Sequence, residues 1–174
     1  MRTLALVRGI NVGGARSLPM ADLEGAFRAA GAREVSTVIQ SGNVVFAADD
    51  ADATVAAATA AIAARFGFRP AMILRSARAW RALVEANPFV AAGRPEAHLH
   101  LACLAAEPAP RARPDAQAVA PDAFVAAGAD VYLLLPNGVS GAKLTNARLD
   151  KAFGAVSTLR NWRTVLRCLE RLEA

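Results

Sequence analysis

The first 75 residues alternate short apolar runs with helical patterns, in an order that few folds accommodate. The turn signal Ser41-Gly42-Asn43 joins the second and third apolar runs into a predicted hairpin. Strands are predicted at 3–8, 35–40, 44–47 and 71–74, and helices at 19–31 and 52–67. This order, strand–helix–strand–strand–helix–strand, predicts a ferredoxin-like split βαβ sheet with two helices on one face.

Residues 76–174 are less regular and predict a smaller mixed α/β unit that ends in two helices. Apolar runs predict a strand at 98–105 and a hairpin around Gly128, whereas three prolines mark 107–115 as a loop. Thr145 and Thr158 are each expected to begin a helix. No repeat of fixed period is found. The alternative is that residues 76–174 form a degenerate copy of the first fold. We therefore expect an α+β protein with two α/β subdomains, 1–75 and 76–174.

Composition excludes two broad classes of protein. Of the 174 residues, 55% are hydrophobic and 20% are charged, which excludes wholesale disorder. The longest apolar run, 55–64, is about half the ~20 residues that a membrane-spanning helix needs. Because Arg8 interrupts the first apolar stretch, no secretory signal is indicated, and we expect a cytoplasmic protein that does not bind membranes. Cys103 and Cys168 are expected to be buried, reduced and inert.

The net charge is +5, with eighteen arginines and two lysines. A basic excess favours nucleic acid or phosphorylated ligands as partners. The arginines are scattered rather than clustered, however, and the alternative is a coding bias towards arginine and alanine.

The most informative stretch is residues 8–16, Arg-Gly-Ile-Asn-Val-Gly-Gly-Ala-Arg, between a predicted strand and a predicted helix. Glycines allow close approach of backbone N–H groups to a ligand, and arginines add charge-assisted hydrogen bonds to anions. The stretch matches neither the P-loop nor a complete G-x-G-x-x-G motif. The alternative is a tight connection that needs glycine only for its geometry. The candidate ligand-binding residues here are Arg8, Gly9, Asn11, Gly13 and Gly14.

Gln40, Ser41 and Asn43 lie in the predicted hairpin turn. In a split βαβ sheet this turn and the end of the first strand lie at the same end, so the two loops are predicted to be neighbours. We add these three residues to the candidate site, although Ser and Asn also stabilise turns by themselves.

Two further clusters contain candidate anion-binding residues. Lys143 follows the flexible segment 136–142, and Arg160 and Asn161 lie at the start of the predicted last helix. There, Arg160, Arg163 and Arg167 at i, i+3 and i+7 predict one basic helix face that can contact phosphates. The alternatives are a solvated lysine and a solvated basic face.

Four segments together resemble one family: 6–14, 40–46, Pro136-Asn137-Gly138 with Lys143-Leu144, and Arg160-Asn161-Trp162 with Thr164-Val165. On these residues the chain resembles the bacterial family known as domain of unknown function 1697. The resemblance implies two α/β subdomains, the first ferredoxin-like, in a small soluble bacterial protein, and it brings no activity, cofactor or catalytic residue. The chain departs from the family pattern at 141–142, at Arg163 and at 15–16.

Catalytic and metal-binding patterns are sparse. His98 and His100 are predicted to point to one side of a strand, as two metal ligands do, but no Cys, Asp or Glu is spaced to complete the site. No cofactor is implied, and no nucleophile has a base visible in the sequence.

We expect a binding module for a small anionic ligand of phosphate or nucleotide type. The alternatives are an enzyme acting on a phosphorylated or carboxylated metabolite, a nucleic-acid-binding protein using the basic C-terminal helix, and a scaffold; the oligomeric state is left open.

Overall fold

The computed structural model describes residues 2–12 and 16–174 and contains two four-stranded antiparallel sheets. The chain divides into two compact units, one of residues 1–82 with 167–174, and one of residues 83–166. The fold is therefore α+β with two α/β units, as the sequence predicts. Within the described residues, no helix is both long enough and apolar enough to cross a bilayer.

The first unit contains the predicted succession of strands and helices. Its sheet has the strand order β2-β3-β1-β4, and its elements are β1 (Arg2–Val7), α1 (Met20–Ala29), β2 (Arg33–Val38), β3 (Asn43–Ala47), α2 (Ala51–Phe66), β4 (Met72–Ser76) and the start of α3 (Ala77–Glu85). Asp50 caps α2 by accepting a hydrogen bond from the Ala53 N–H at 2.9 Å, and Gly67 ends it in the left-handed conformation. Phe27 of α1 and Phe46 of β3 pack in the core with ring centroids 5.0 Å apart.

The second unit has the strand order β6-β7-β5-β8, which is the order of the first sheet with each strand number raised by four. Its elements are α4 (Pro88–Ala91), β5 (Leu99–Leu104), α5 (Ala116–Val119), β6 (Ala123–Ala127), β7 (Asp130–Leu134), α6 (Asn146–Phe153), β8 (Ser157–Asn161) and the start of α7 (Trp162–Glu173).

Equivalent hydrogen bonds mark the same positions in both sheets. The Val7 N–H donates to the Gly42 carbonyl at 2.7 Å, and the Leu104 N–H donates to the Ala129 carbonyl at 2.8 Å. Each bond joins the end of the first strand of a unit to the turn of its hairpin. The second unit is thus a degenerate copy of the first in topology.

Two expectations about the C-terminal part need correction. Thr158 does not begin a helix, because it lies in β8, where it pairs with Cys103 of β5. Helix α7 begins at Trp162 instead. In addition, residues 76–82 and 167–174, which the sequence assigns to the second subdomain, group with the first unit, where Arg171 Nε donates to Ser36 Oγ at 2.8 Å.

Glu24 of α1 ties this helix to the edge strand β2. Its carboxylate accepts hydrogen bonds from the Thr37 N–H at 3.0 Å, from Thr37 Oγ1 at 2.9 Å and from the Arg28 guanidinium at 2.7 Å. Burial raises the pKa of this carboxyl, but the hydrogen bonds from Arg28 and Thr37 outweigh burial, so the pKa is lowered overall.

We expect Glu24→Gln to lower the free energy of unfolding by about 1 kcal/mol at pH 7. Because the folded-state pKa is depressed, this contribution is present above the unfolded-state pKa and is lost as the pH falls through the folded-state pKa. Urea unfolding across that acidic range measures the effect, with the exposed Glu107→Gln as the matched control. A difference from wild type that does not shrink with acidification would contradict this interpretation.

Candidate functional site

The loop after β1 and the turn between β2 and β3 meet at one end of the first sheet. We call residues 8–12, 16–18 and 39–43 the rim. Besides the bond from Val7 to Gly42, the Arg8 N–H donates to the Ala71 carbonyl at 2.9 Å, which brings the segment between α2 and β4 to the same end. The structure therefore brings together Arg8, Gly9, Asn11, Gln40, Ser41 and Asn43. Gly13 and Gly14, also predicted for this site, lie outside the described residues.

Asn11 connects the two segments of the rim. Its Nδ2 donates to the Leu18 carbonyl at 2.9 Å and to the Gln40 carbonyl at 3.2 Å, while its Oδ1 accepts from the Leu18 N–H at 2.8 Å. The side-chain amide is thus used to hold the loop closed and to attach it to the turn. Asn11 positions the rim, rather than offering its amide to a ligand.

Asn43 has a similar internal role. Its side chain is fully buried, and Nδ2 donates to the Val38 carbonyl at 2.9 Å and to Ser41 Oγ at 3.0 Å. These bonds close the turn and orient the Ser41 hydroxyl. Of the predicted site residues in the turn, Gln40 is exposed and Ser41 is half-buried.

Non-glycine residues in the left-handed backbone conformation are concentrated in the rim. Among the described residues, four non-glycine residues have positive φ, and three of them lie here: Asn11 at 57°, Arg16 at 52° and Ile39 at 52°. Such conformations cost of order 1–3 kcal/mol each and persist only where the surroundings hold them in place. The bonds of Asn11 and Asn43 provide that support.

The surface of this end of the sheet is basic. The segments 8–19, 38–43 and 67–71 contain three arginines, Arg8, Arg16 and Arg69, and no Asp or Glu. Arg16 and Arg69 are exposed and Arg8 is half-buried. The Arg16 guanidinium lies over Gly9, since a Cβ built on Gly9 would be 3.7 Å from Arg16 Nη1.

Lys143 lies in the second unit, where its main chain is held by Asp122. The buried Asp122 carboxylate accepts hydrogen bonds from the Lys143 N–H at 2.6 Å and the Leu144 N–H at 2.9 Å. The Lys143 ammonium donates to the Ala120 carbonyl. The segment before α6 is therefore braced by a buried acidic residue. Sequence reasoning missed Asp122; the signal was a lone Asp directly ahead of an apolar strand.

The prediction that Arg160 shares a basic helix face with Arg163 and Arg167 is wrong, although the other two arginines do lie in α7. Arg160 is in β8 and is buried, and its Nη1 donates to Thr158 Oγ1 at 2.8 Å and to the Leu159 carbonyl at 2.9 Å. Asn161 caps α7, since its Oδ1 accepts from the Thr164 N–H at 2.8 Å. Arg160 is extended because it pairs with β5. The i, i+3, i+7 spacing of the arginines is a local pattern and carries no information about this pairing.

Sequence reasoning also missed a short motif that is repeated at the ends of β4 and β8. Leu74-Arg75-Ser76 ends β4 and Leu159-Arg160-Asn161 ends β8, and in each the arginine donates to the carbonyl of the preceding leucine. Ser76 Oγ then accepts from the Ala79 N–H at the start of α3, as Asn161 does for α7. These two segments are the signal that reveals the repeated topology.

The two histidines do not share one side of a strand as predicted. His98 ends a 3-10 turn at Glu96–His98, whereas His100 is buried in β5, with Nδ1 3.3 Å from the His98 carbonyl oxygen. Burial lowers the pKa of the His100 imidazole, which favours its neutral form. Throughout residues 2–12 and 16–174, no group of three His, Cys, Asp or Glu side chains is arranged to hold a metal ion.

Comparisons with known proteins give a family and a fold. A conserved bacterial protein from Streptococcus pneumoniae, SP0830, has a similar structure, with a TM-score of 0.67 at 21% sequence identity over 98% of each chain. At this identity the similarity shows the fold alone. No curated protein matches the chain. The family model described as "Protein of unknown function (DUF1697)" matches residues 1–132. The chain therefore belongs to the DUF1697 family.

Proposed function

We propose that this protein binds a small anion of phosphate type at the rim of its first unit. The observation that carries the proposal is the Asn11 side chain, which forms two hydrogen bonds to Leu18 within the arginine-containing loop and one to the Gln40 carbonyl in the neighbouring turn. A preorganised site loses less conformational entropy on binding than a flexible loop does.

The chemistry of the rim supports an anionic ligand. Arg8 and Arg16 supply guanidinium groups, and Gln40 and Ser41 supply an amide and a hydroxyl, all at least partly exposed. Guanidinium groups form charge-assisted and often bidentate hydrogen bonds to phosphate and carboxylate oxygens. Because the adjoining segments contain no Asp or Glu, no carboxylate there repels an anion.

Binding is favoured over catalysis at this site. No Asp, Glu, His or Cys occurs in residues 8–12, 16–18 and 39–43, so the described rim contains no general base of the usual kinds. The nucleic-acid alternative relied on a helix face that Arg160 does not join, since this residue is buried in β8. A small anion is therefore the ligand we propose.

We also propose that the protein is located in the bacterial cytoplasm. This is supported by the bacterial origin of the protein with a similar structure and by two buried cysteines that form no disulfide.

Arg16→Ala is expected to weaken binding of inorganic phosphate or pyrophosphate by about tenfold or more, because one charge-assisted contact is lost. Isothermal titration calorimetry and ligand-induced thermal shifts measure this with phosphate, pyrophosphate and ATP as probes. Arg111→Ala, in the exposed loop before α5, is the matched control because it removes the same charge elsewhere. Equal weakening by the two variants would indicate diffuse electrostatics, and no binding of any probe would favour a purely structural rim.

A further inference from the structure

Strand β6 forms one edge of the second sheet and contains only Ala, Phe and Val. Its pairing with β7 is regular over all five residues, Ala123 to Ala127. Among the described residues, none outside β7 forms a hydrogen bond with the β6 backbone. Edge strands expose unpaired N–H and C=O groups, and soluble proteins usually protect them with charges, prolines or bulges. β6 has none of these protections.

The equivalent edge strand of the first sheet, β2, is protected. Its pairing with β3 is interrupted between Arg33 and Ser36, and Glu34 within that interruption has a φ of 52°. Arg33 also forms an ion pair with Asp49 at 2.7 Å, and Glu34 forms one with Arg2 at 2.9 Å. The same position in the repeated topology is therefore blocked in one unit and left open for pairing in the other.

The open edge is complementary to itself. Antiparallel pairing of two β6 strands centred on Val125 places Val125 opposite its own copy and Phe124 opposite Ala126, so a large side chain faces a small one. Val125 is 40% exposed and Ala126 and Ala127 are also exposed, so nothing in the described chain covers this part of the edge. Because the edge is uncharged, two copies of a chain of net charge +5 can approach there without direct repulsion between facing charges.

We propose that the protein forms a two-fold symmetric dimer in which the β6 strands of two copies pair antiparallel. The dimer is closed, because each copy uses its β6 edge and no unpaired β6 edge is left to add a third copy. It joins two four-stranded sheets into one sheet of eight strands.

Cross-linking tests the proposed register directly. In a pair centred on Val125 the two Cα atoms are about 5 Å apart, within the range that a disulfide spans. Val125→Cys is therefore expected to form a covalent dimer on mild oxidation. Val139→Cys, at a valine that is 55% exposed in the 3-10 turn Val139–Gly141, is the matched control and is expected to remain monomeric on reducing-agent-free gels. Cys103 and Cys168 are buried and do not compete.

Association is tested independently by sedimentation equilibrium over a series of protein concentrations. Val125→Lys places like charges opposite each other and is expected to raise the dimer dissociation constant by about tenfold or more, whereas Val139→Lys leaves it unchanged. Circular dichroism confirms that each variant is folded. A wild-type protein that stays monomeric at every concentration, or Val125→Cys cross-linking no faster than Val139→Cys, overturns the proposal.

Discussion

Replacing Gly42 with alanine is expected to lower the free energy of unfolding by about 3–5 kcal/mol. A Cβ at this position would lie 2.7 Å from Ile10 Cδ1 and 2.8 Å from Val7 Cβ, which is closer than carbon atoms pack. Both neighbours are almost completely buried, and Val7 ends the central strand β1, so neither can move aside without disturbing the core. The φ of 75° adds strain for any residue with a Cβ.

Gly31→Ala is the control that separates strain from steric overlap. Gly31 has a φ of 88°, but a Cβ there would have no atom within 4 Å. Its replacement should cost only the backbone term, about 1–2 kcal/mol. Urea unfolding of both variants measures the difference, and equal losses would show that the turn is not packed against Ile10 as described.

Asp122→Ala is expected to lower the free energy of unfolding by about 3 kcal/mol, the second largest effect among our predictions. The substitution removes the acceptor of the Lys143 and Leu144 N–H groups, and Leu144 is fully buried, so its N–H is left without a partner away from water. Chemical denaturation measures the loss.

Two companion variants make the Asp122 test specific. Asp122→Asn keeps an acceptor oxygen and should cause a smaller loss than alanine. Asp115→Ala removes an exposed cap of the short helix α5, where Asp115 accepts from the Gln117 N–H, and should cost about 1 kcal/mol. If Asp122→Ala were no worse than Asp115→Ala, the buried carboxylate would not brace the segment before α6.

The first unit could be predicted from the sequence because its signals are local. Pro19 precedes α1, Gly67 ends α2 in a left-handed conformation, and Ser41 and Gly42 lie in the turn between β2 and β3. The prediction that Thr158 begins a helix was wrong because the deciding interaction is not local. Its sequence suits a helix start as well as a strand, and the choice is made by pairing with β5, more than fifty residues earlier in the chain.

The candidate site was predictable only in its location. Strand directions alone place the loop after β1 beside the turn after β2, and the structure shows the two in contact through Asn11 and Gln40. What the sequence could not show is that the Asn11 and Asn43 amides are consumed by internal carbonyl groups. That depends on the path of the folded loop, which no spacing rule describes.

We propose that an anion binds at the rim and that the rim arginines hold it. The most direct test is a titration of the isotopically labelled protein with pyrophosphate, followed by the backbone amide signals in ¹H–¹⁵N NMR spectra. Saturable shifts concentrated at Gly9, Arg16 and Ser41 are expected, and in Arg16→Ala the remaining shifts should need a higher pyrophosphate concentration to saturate. Shifts spread evenly over the basic surface, or none at the rim, would contradict the proposal.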